Sequence, residues 1–130
     1  AAAHADEFNR TSSTPQTARE KFAALDAACT AAGREPATLV RSAMSGLLIG
    51  RSRADYLAGV SRFMERIGGA GDPEEYLAPR RPRWVAGTPE EAATQMRAFR
   101  DAGAQRLLLQ HFLPLELEPL DLLAEIRDTL

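Results

Sequence analysis

The chain is poor in the residues that most often build disulfides and metal sites. Its 130 residues include one cysteine, Cys29, and two histidines, His4 and His111. A single cysteine excludes a disulfide within the chain and is typical of a reducing compartment, so we expect a cytoplasmic protein. Because the cysteine and the two histidines lie far apart in the sequence, without the spacing of zinc ligands, no metal site is predicted.

Long apolar runs and a strong net charge are also missing. No stretch approaches the roughly 20 apolar residues that a membrane helix needs, and no secretory signal is evident. The formal net charge is −2, which gives no reason to expect nucleic acid or an anionic membrane as a partner. Nucleophile-elbow and phosphate-loop motifs are absent, so the glycine-rich stretch 68–71 is predicted to be a plain loop.

The clearest positive signal is a complete helix followed by a buried strand. Thr88 can cap the helix, Pro89 suits its first position and Glu91 completes a capping box. Gly103 supplies the left-handed stop. An unbroken apolar run, Leu107-Leu108-Leu109, then predicts a strand that is covered on both faces, as in a parallel sheet. Helix, short loop and buried strand together predict an α/β protein.

The rest of the chain follows the same alternation of helices and strands. Apolar periodicity and end signals predict a strand over 6–9, a helix over 15–32, a strand over 39–49, a helix from 52 or 53 to about 67, a short helix from 73 and a last helix over 118–130. Residues 80–83 are predicted to be irregular. The stretch 53–83 is longer than a plain strand-to-helix connection, so we interpret it as an insertion.

Several segments, in order, resemble one known family. The segments Trp84–Ala92 and Arg97–Gly103 are similar to the C-terminal part of the luciferase-like monooxygenases, which are flavin- or deazaflavin F420-dependent oxidoreductases on a TIM-like barrel. Ala5–Asn9 resembles the entry to the sixth strand of that family. Asp26–Cys29 and Gly33–Leu39 resemble the following helix and the approach to the seventh strand. The resemblance therefore spans nearly the whole chain.

This resemblance implies a partial barrel. The expected fold class is α/β, the C-terminal part of a TIM-like (β/α)8 barrel, about strands 6 to 8 with their helices. A closed barrel needs about 250 residues, so residues 1–130 are expected to form a single partial-barrel segment, with 53–83 inserted between the seventh strand and its return helix. The alanine-rich opening, residues 1–5, is interpreted as the end of a helix already under way. We therefore expect a fragment: a truncated protein, a proteolytic product or one half of a split gene.

The resemblance also implies a function for the intact protein. That protein is expected to be an oxidoreductase or monooxygenase that uses F420 or FMN on a small-molecule substrate. The principal acid–base residues of the family lie in the first half of the barrel and match no position here, so no catalytic residue is assigned. This segment is expected to supply barrel wall and part of the pocket, to be inactive alone and to bind no cofactor tightly. The sequence distinguishes neither FMN from F420 nor one substrate from another.

Three residues are the candidates for contact with the cofactor or substrate. In a parallel barrel the C-terminal ends of the strands carry the ligand site. Gln110 and His111 break the apolar run where the last strand ends, and Asn9 ends the predicted strand over 6–9.

Two other hypotheses compete with the enzyme segment. The chain could be a half-barrel interaction module that associates with itself, or a small standalone α/β binding domain without catalysis. In either partial-barrel form the unpaired strand edges favour self-association. We therefore expect a homo-oligomer.

Overall fold

Five helices and one four-stranded parallel sheet make up the part of the chain that the computed structural model describes, residues 2–130. In chain order the elements are β1 (Glu7–Thr11), α1 (Pro15–Ala31), a 3-10 turn (Pro36–Thr38), β2 (Val40–Ile49), α2 (Arg53–Arg66), α3 (Pro73–Leu77), β3 (Trp84–Gly87), α4 (Pro89–Asp101), β4 (Arg106–His111) and α5 (Glu118–Arg127).

Strand β2 is the centre of the sheet and pairs with every other strand. β1 lies along its first half and β3 along its second half, whereas β4 overlaps both at Ser42–Leu47. β1 and β3 therefore share one edge of β2, end to end, and β4 occupies the other edge. All three pairings are parallel, as expected when helices connect successive strands.

The predicted helix ends are confirmed where capping residues define them. Thr88 accepts a hydrogen bond from the Glu91 amide, and the Glu91 carboxylate accepts one from the Thr88 amide, so the capping box is complete. Ser52 and Asp55 form a second capping box at the start of α2. Thr14 caps α1. These contacts are local in sequence, which is why the sequence alone locates them.

Three details differ from the expectations. Strand β3 was not predicted, because four residues are too few to show a period and its pairing with β2 is not local. Asn9 lies in the middle of β1, not at its end, since the strand continues to Thr11. Residues 2–4 form a turn and not the end of a helix; Ala1 lies outside the described residues.

One face of the sheet, which we call the helix face, carries the main core. The odd-numbered side chains Ala43, Leu47 and Ile49 of β2 are buried there. They pack with side chains from α1, α4 and α5: Ala18, Phe22, Ala92, Ala93, Met96, Phe99, Leu122 and Ile126. Cys29 of α1 is fully buried next to Leu39, as expected for an inert core cysteine.

The opposite face is covered only at its C-terminal end. There Leu48 of β2 packs under α2 and α3, with Tyr56, Val60, Met64 and Leu77. The remainder of this face has no layer of helices over it within residues 2–130. The expectation that β4 is covered on both faces is therefore wrong, because Leu108 is 40% exposed on this side.

Candidate functional site

The uncovered part of the sheet is the candidate functional surface, and we call it the open face. Side chains alternate between the two faces of a strand, and paired residues of neighbouring strands share a face. The registers Asn9–Ser42 and Gly46–Gln110 therefore align one set of side chains on this side. The set consists of Glu7, Asn9, Thr11, Val40, Ser42, Met44, Gly46, Arg106, Leu108 and Gln110.

Polar contacts fix the side chains of the open face near the N-terminal ends of the strands. The Asn9 side-chain nitrogen Nδ2 donates to the hydroxyl Oγ of Ser42 at 2.8 Å, and Ser42 is fully buried beneath it. The Arg106 guanidinium donates to the Glu7 carboxylate at 2.7 Å and so links the two outer strands β1 and β4 across β2. The Asn9 amide is thereby oriented while it stays exposed to solvent.

An aromatic cluster bounds the open face at the C-terminal ends of the strands. Phe112, directly after β4, stacks on Phe63 of α2 with ring centroids 4.6 Å apart and lies 4.7 Å from the Trp84 ring. Its ring lies across Gly46, and a Cβ at that position would overlap Phe112 and come within 3.1 Å of Trp84. Gly46 is therefore needed for the ring to approach β2 this closely. Tyr76 of α3 completes the cluster.

Two of the three predicted site residues lie on the same face of the sheet. Asn9 and Gln110 are exposed on the open face, on the strands that flank β2. His111 lies on the helix face, in register with Leu47. Its Nε2 is 2.8 Å from the Glu116 carbonyl oxygen, and its buried Nδ1 has no hydrogen-bond partner among residues 2–130. Adjacent strand positions point to opposite faces, so Gln110 and His111 cannot both meet one ligand on the open face.

The structure adds side chains that the sequence reasoning missed. Ser42, Met44 and Leu108 share the open face with Asn9 and Gln110. Phe112 packs on Gly46 at the C-terminal end of that face. Their registers depend on pairings over long sequence separations, which no local pattern reveals. Gly46 was the available signal, because a glycine inside a buried strand indicates the close approach of another group.

One ion pair lies beside the C-terminal end of β2. Arg62 of α2 donates to both carboxylate oxygens of Glu116, at 2.7 and 2.8 Å. This hydrogen bonding lowers the pKa of Glu116 below its ordinary value and raises the pKa of Arg62. The pair joins α2 to the loop after β4. Between residues 2 and 130, no three side chains of the metal-ligating types gather into a cluster, and no helix has the length and apolarity to cross a bilayer.

The fold as a whole is similar to those of enzymes solved with F420 or FMN derivatives. The chain is similar to an F420-dependent secondary alcohol dehydrogenase solved with an F420–acetone adduct, with a TM-score of 0.73 and 14% identity over 97% of this chain and 43% of that one. It is also similar to a riboflavin lyase solved with modified FMN and riboflavin, with a TM-score of 0.76 and 13% identity over 98% of this chain and 40% of that one.

A third solved structure is also similar to this chain. The coenzyme F420-dependent tetrahydromethanopterin reductase from Methanopyrus kandleri matches with a TM-score of 0.67 and 12% identity over 95% of this chain and 45% of that one. No family model matches the sequence, and no curated protein matches it either. The chain spans about two fifths of the length of the solved structures described here. It therefore has the fold of part of a luciferase-like TIM barrel, as the sequence resemblance implied.

Proposed function

We propose that this chain is a segment, about strands 6 to 8, of a luciferase-like oxidoreductase or monooxygenase, and that it contributes barrel wall and part of the pocket. The observation that carries the proposal is the match of almost the entire chain to F420- and flavin-dependent enzymes. The open face supports it. In a closed barrel, the sheet face opposite the surrounding helices faces the interior.

The open face combines apolar and polar groups as expected for one wall of a site that binds a flat, partly polar ring system. Leu108 and Met44 offer apolar surface in register, and the amides of Asn9 and Gln110 flank them. Such a mixture of apolar wall and few polar groups is typical of cofactor pockets. A bound flavin or F420 would supply hydride-transfer chemistry. On this proposal Asn9 and Gln110 orient the cofactor or a small-molecule substrate, whereas His111 braces the loop at Glu116.

The remaining parts of the proposal concern the intact protein. We infer a cytoplasmic enzyme, because the lone cysteine is buried and free. The segment alone holds too little of the pocket for tight binding, since the open face is only one wall. We therefore propose that it is inactive by itself and that either F420 or FMN is the cofactor of the whole protein.

Cofactor binding tests the proposal directly. Fluorescence titrations with F420 and with FMN should be made on the protein translated from the complete reading frame and on this 130-residue chain. We expect the former to bind one of the two at micromolar concentration and the latter to bind neither. In the protein that binds, Asn9→Ala and Gln110→Ala should each weaken binding by about tenfold, the loss of one or two oriented hydrogen bonds.

The matched control is Gln16→Ala, which removes an exposed glutamine on α1 that pairs only with Glu20. It should leave the binding constant unchanged. Stoichiometric binding of either cofactor by the 130-residue chain would show that the segment is a self-sufficient binding domain. A complete protein that binds neither F420 nor FMN would overturn the oxidoreductase proposal.

A further inference from the structure

A cavity of about 310 Å³ lies at the edge of the sheet, where β1 ends and β3 begins along β2. Its walls come from the start of α1, from α4 and from the segment 81–84, and we call it the edge cavity. Pockets for small organic molecules are typically apolar and carry few polar groups. The apolar part of this wall consists of Pro15, Pro82, Trp84, Ala98 and Phe99. The edge cavity therefore has the lining of a small-molecule site.

Among residues 2–130, Arg81 is the charged residue that lines the edge cavity. Its side-chain nitrogen Nη2 donates to the hydroxyl Oη of Tyr56 at 2.8 Å, and its guanidinium lies 5.4 Å from the centroid of the Tyr56 ring. Tyr56 is buried, so this contact fixes the orientation of Arg81. A guanidinium carries several N–H donors, and within residues 2–130 the contact with Tyr56 is the one hydrogen bond that the Arg81 side chain makes. Its other donors are available to a ligand.

No carboxylate in the described part of the chain neutralises Arg81. The eight ion pairs within residues 2–130 involve seven arginines, because Arg51 makes two of them, and Arg81 is not among the seven. The neighbouring Arg80 and Arg83 have no carboxylate partner in this part of the chain either. Helix α1 begins at the same wall without an acidic residue in its first turn, so its dipole adds to the positive potential.

We propose that the edge cavity binds a small organic monocarboxylate, with its apolar body against Trp84 and Phe99 and its carboxylate on Arg81. Arginine recognises a carboxylate through a bidentate pair of charge-assisted hydrogen bonds. Tyr56 orients the guanidinium before the ligand arrives, which reduces the entropy lost on binding. A ligand with a second charged group is disfavoured, because the apolar part of the wall offers that group no partner.

The edge cavity is separate from the proposed cofactor wall. None of the strand side chains that form the open face within residues 2–130 lines it. Helix α4, which forms part of its wall, packs on the helix face of the sheet. The carboxylate site is therefore a second site, and its existence does not depend on whether the open face binds a cofactor. Trp84 is shared, because it lines the edge cavity and also belongs to the aromatic cluster.

Fluorescence of Trp84 tests the proposal, because this residue is the single tryptophan of the chain and lines the edge cavity. Benzoate is the probe, and benzamide is its matched control, a similar molecule without the charge. We expect benzoate to change the fluorescence saturably, with a dissociation constant at least about tenfold lower than that of benzamide, as charge-assisted hydrogen bonds imply. Equal dissociation constants, or no saturable change with benzoate, overturn the proposal.

Arg81→Gln tests the role of the charge. It should raise the dissociation constant of benzoate to that of benzamide and leave benzamide binding unchanged. Arg66→Gln is the matched control, because Arg66 is an exposed arginine at the end of α2 that does not line the edge cavity. It should leave both dissociation constants unchanged. A preference for benzoate that survives Arg81→Gln contradicts the proposal. Circular dichroism of each variant establishes that the fold is retained.

Ala98→Phe tests the location of the ligand. Ala98 lies on α4 in the wall of the edge cavity, so a phenyl ring there fills the cavity without changing its charge, and benzoate should bind at least about tenfold more weakly. Leu108→Asn, on the open face, should leave benzoate binding unchanged. Binding that survives Ala98→Phe but is lost in Leu108→Asn assigns benzoate to the open face and overturns the proposal. Binding of F420 or FMN by the complete protein bears on none of these results, so the two proposals can fail separately.

Discussion

Gln95 completes the hydrogen bonding of the second edge of β3. Among residues 2–130, β3 pairs with β2 along one edge and with no other strand. On its other edge, the Ala86 amide donates to the Gln95 side-chain oxygen at 2.9 Å, and the Gln95 side-chain nitrogen donates to the Ala86 carbonyl at 3.0 Å. Ala86 is fully buried, so water cannot replace these bonds. A side chain of α4 thus takes the place of a neighbouring strand.

Removing this amide should destabilise the protein. Gln95→Ala leaves a buried N–H and a buried C=O without partners, and we expect the free energy of unfolding to fall by about 2 to 3 kcal/mol. Urea denaturation followed by circular dichroism measures the change. Gln16→Ala, an exposed helical glutamine, should change it by less than about 0.5 kcal/mol. Equal effects of the two substitutions would show that the Ala86 bonds contribute nothing.

The Arg62–Glu116 pair predicts a pH dependence. The folded state lowers the pKa of Glu116 through its hydrogen bond with Arg62. A carboxyl whose pKa is lower when folded stabilises the protein above its unfolded pKa, and this contribution is lost as the pH falls through the folded value. The stability difference between wild type and Arg62→Gln should therefore be present at neutral pH and disappear in acid.

A nuclear magnetic resonance titration of the Glu116 side chain tests the cause directly. In Arg62→Gln the pKa of Glu116 should rise toward its ordinary value, because the principal hydrogen bond is gone. Arg127→Gln is the control, since Arg127 pairs with Asp128 on an exposed part of α5. A Glu116 pKa that does not respond to Arg62→Gln would contradict the assignment.

At the scale of elements, the residues around the start of helix α4 determine where it begins. Gly87, immediately before the cap, has a φ of +132°, and its hydrogen faces the Glu91 side chain so closely that no Cβ would fit. The glycine lets the chain leave β3 and enter the capping box of α4 within one residue. The junction between strand and helix therefore depends on Gly87, Thr88 and Glu91 together.

Thr88→Ala should cost about 1 kcal/mol of unfolding free energy, because it removes the acceptor for the Glu91 amide. The denaturant midpoint should shift to lower concentration with an unchanged slope. Thr94→Ala on the same helix is the control, since its hydroxyl bonds only to the Glu90 carbonyl one turn earlier. That substitution should be neutral or slightly stabilising, because alanine is the better helix former. An unchanged midpoint in Thr88→Ala would mean that α4 does not depend on this cap.

At the scale of the whole molecule, helices cover one face of the sheet and only the C-terminal end of the other. Helices α1, α4 and α5 cover the helix face, while α2 and α3 cover only the C-terminal end of the other. The adjacent residues Leu107 and Leu108 of β4 consequently lie in different surroundings. Leu107 packs with the core of the helix face, and Leu108 lies on the open face.

This asymmetry predicts that the same substitution changes the unfolding free energy by different amounts on the two faces. Leu108→Asn should change the unfolding free energy of the 130-residue chain by less than about 1 kcal/mol, whereas Leu107→Asn should lower it by more than about 2 kcal/mol. Thermal and urea unfolding measure both. A large effect at Leu108 in the chain alone would show that the open face is covered in solution, by a second copy or by rearranged helices.

The sequence by itself determined the features whose causes are local. The cap at Thr88, the stop at Gly103 and the helix start at residue 52 or 53 were predicted because their causes lie within a few residues of sequence. The pattern over 39–49 predicted the strand β2, and the ordered motifs predicted the luciferase-like fold. These predictions are confirmed.

Only the tertiary structure decided which of these residues share a face of the sheet. The pairings of β1 and β4 with β2 place Gln110 on the same face as Asn9, across more than a hundred residues of sequence, and leave His111 on the opposite face. Strand β3 exists because β2 and Gln95 satisfy its two edges. Local propensity contains no information about such pairings, since strand partners are chosen by packing over the whole sheet.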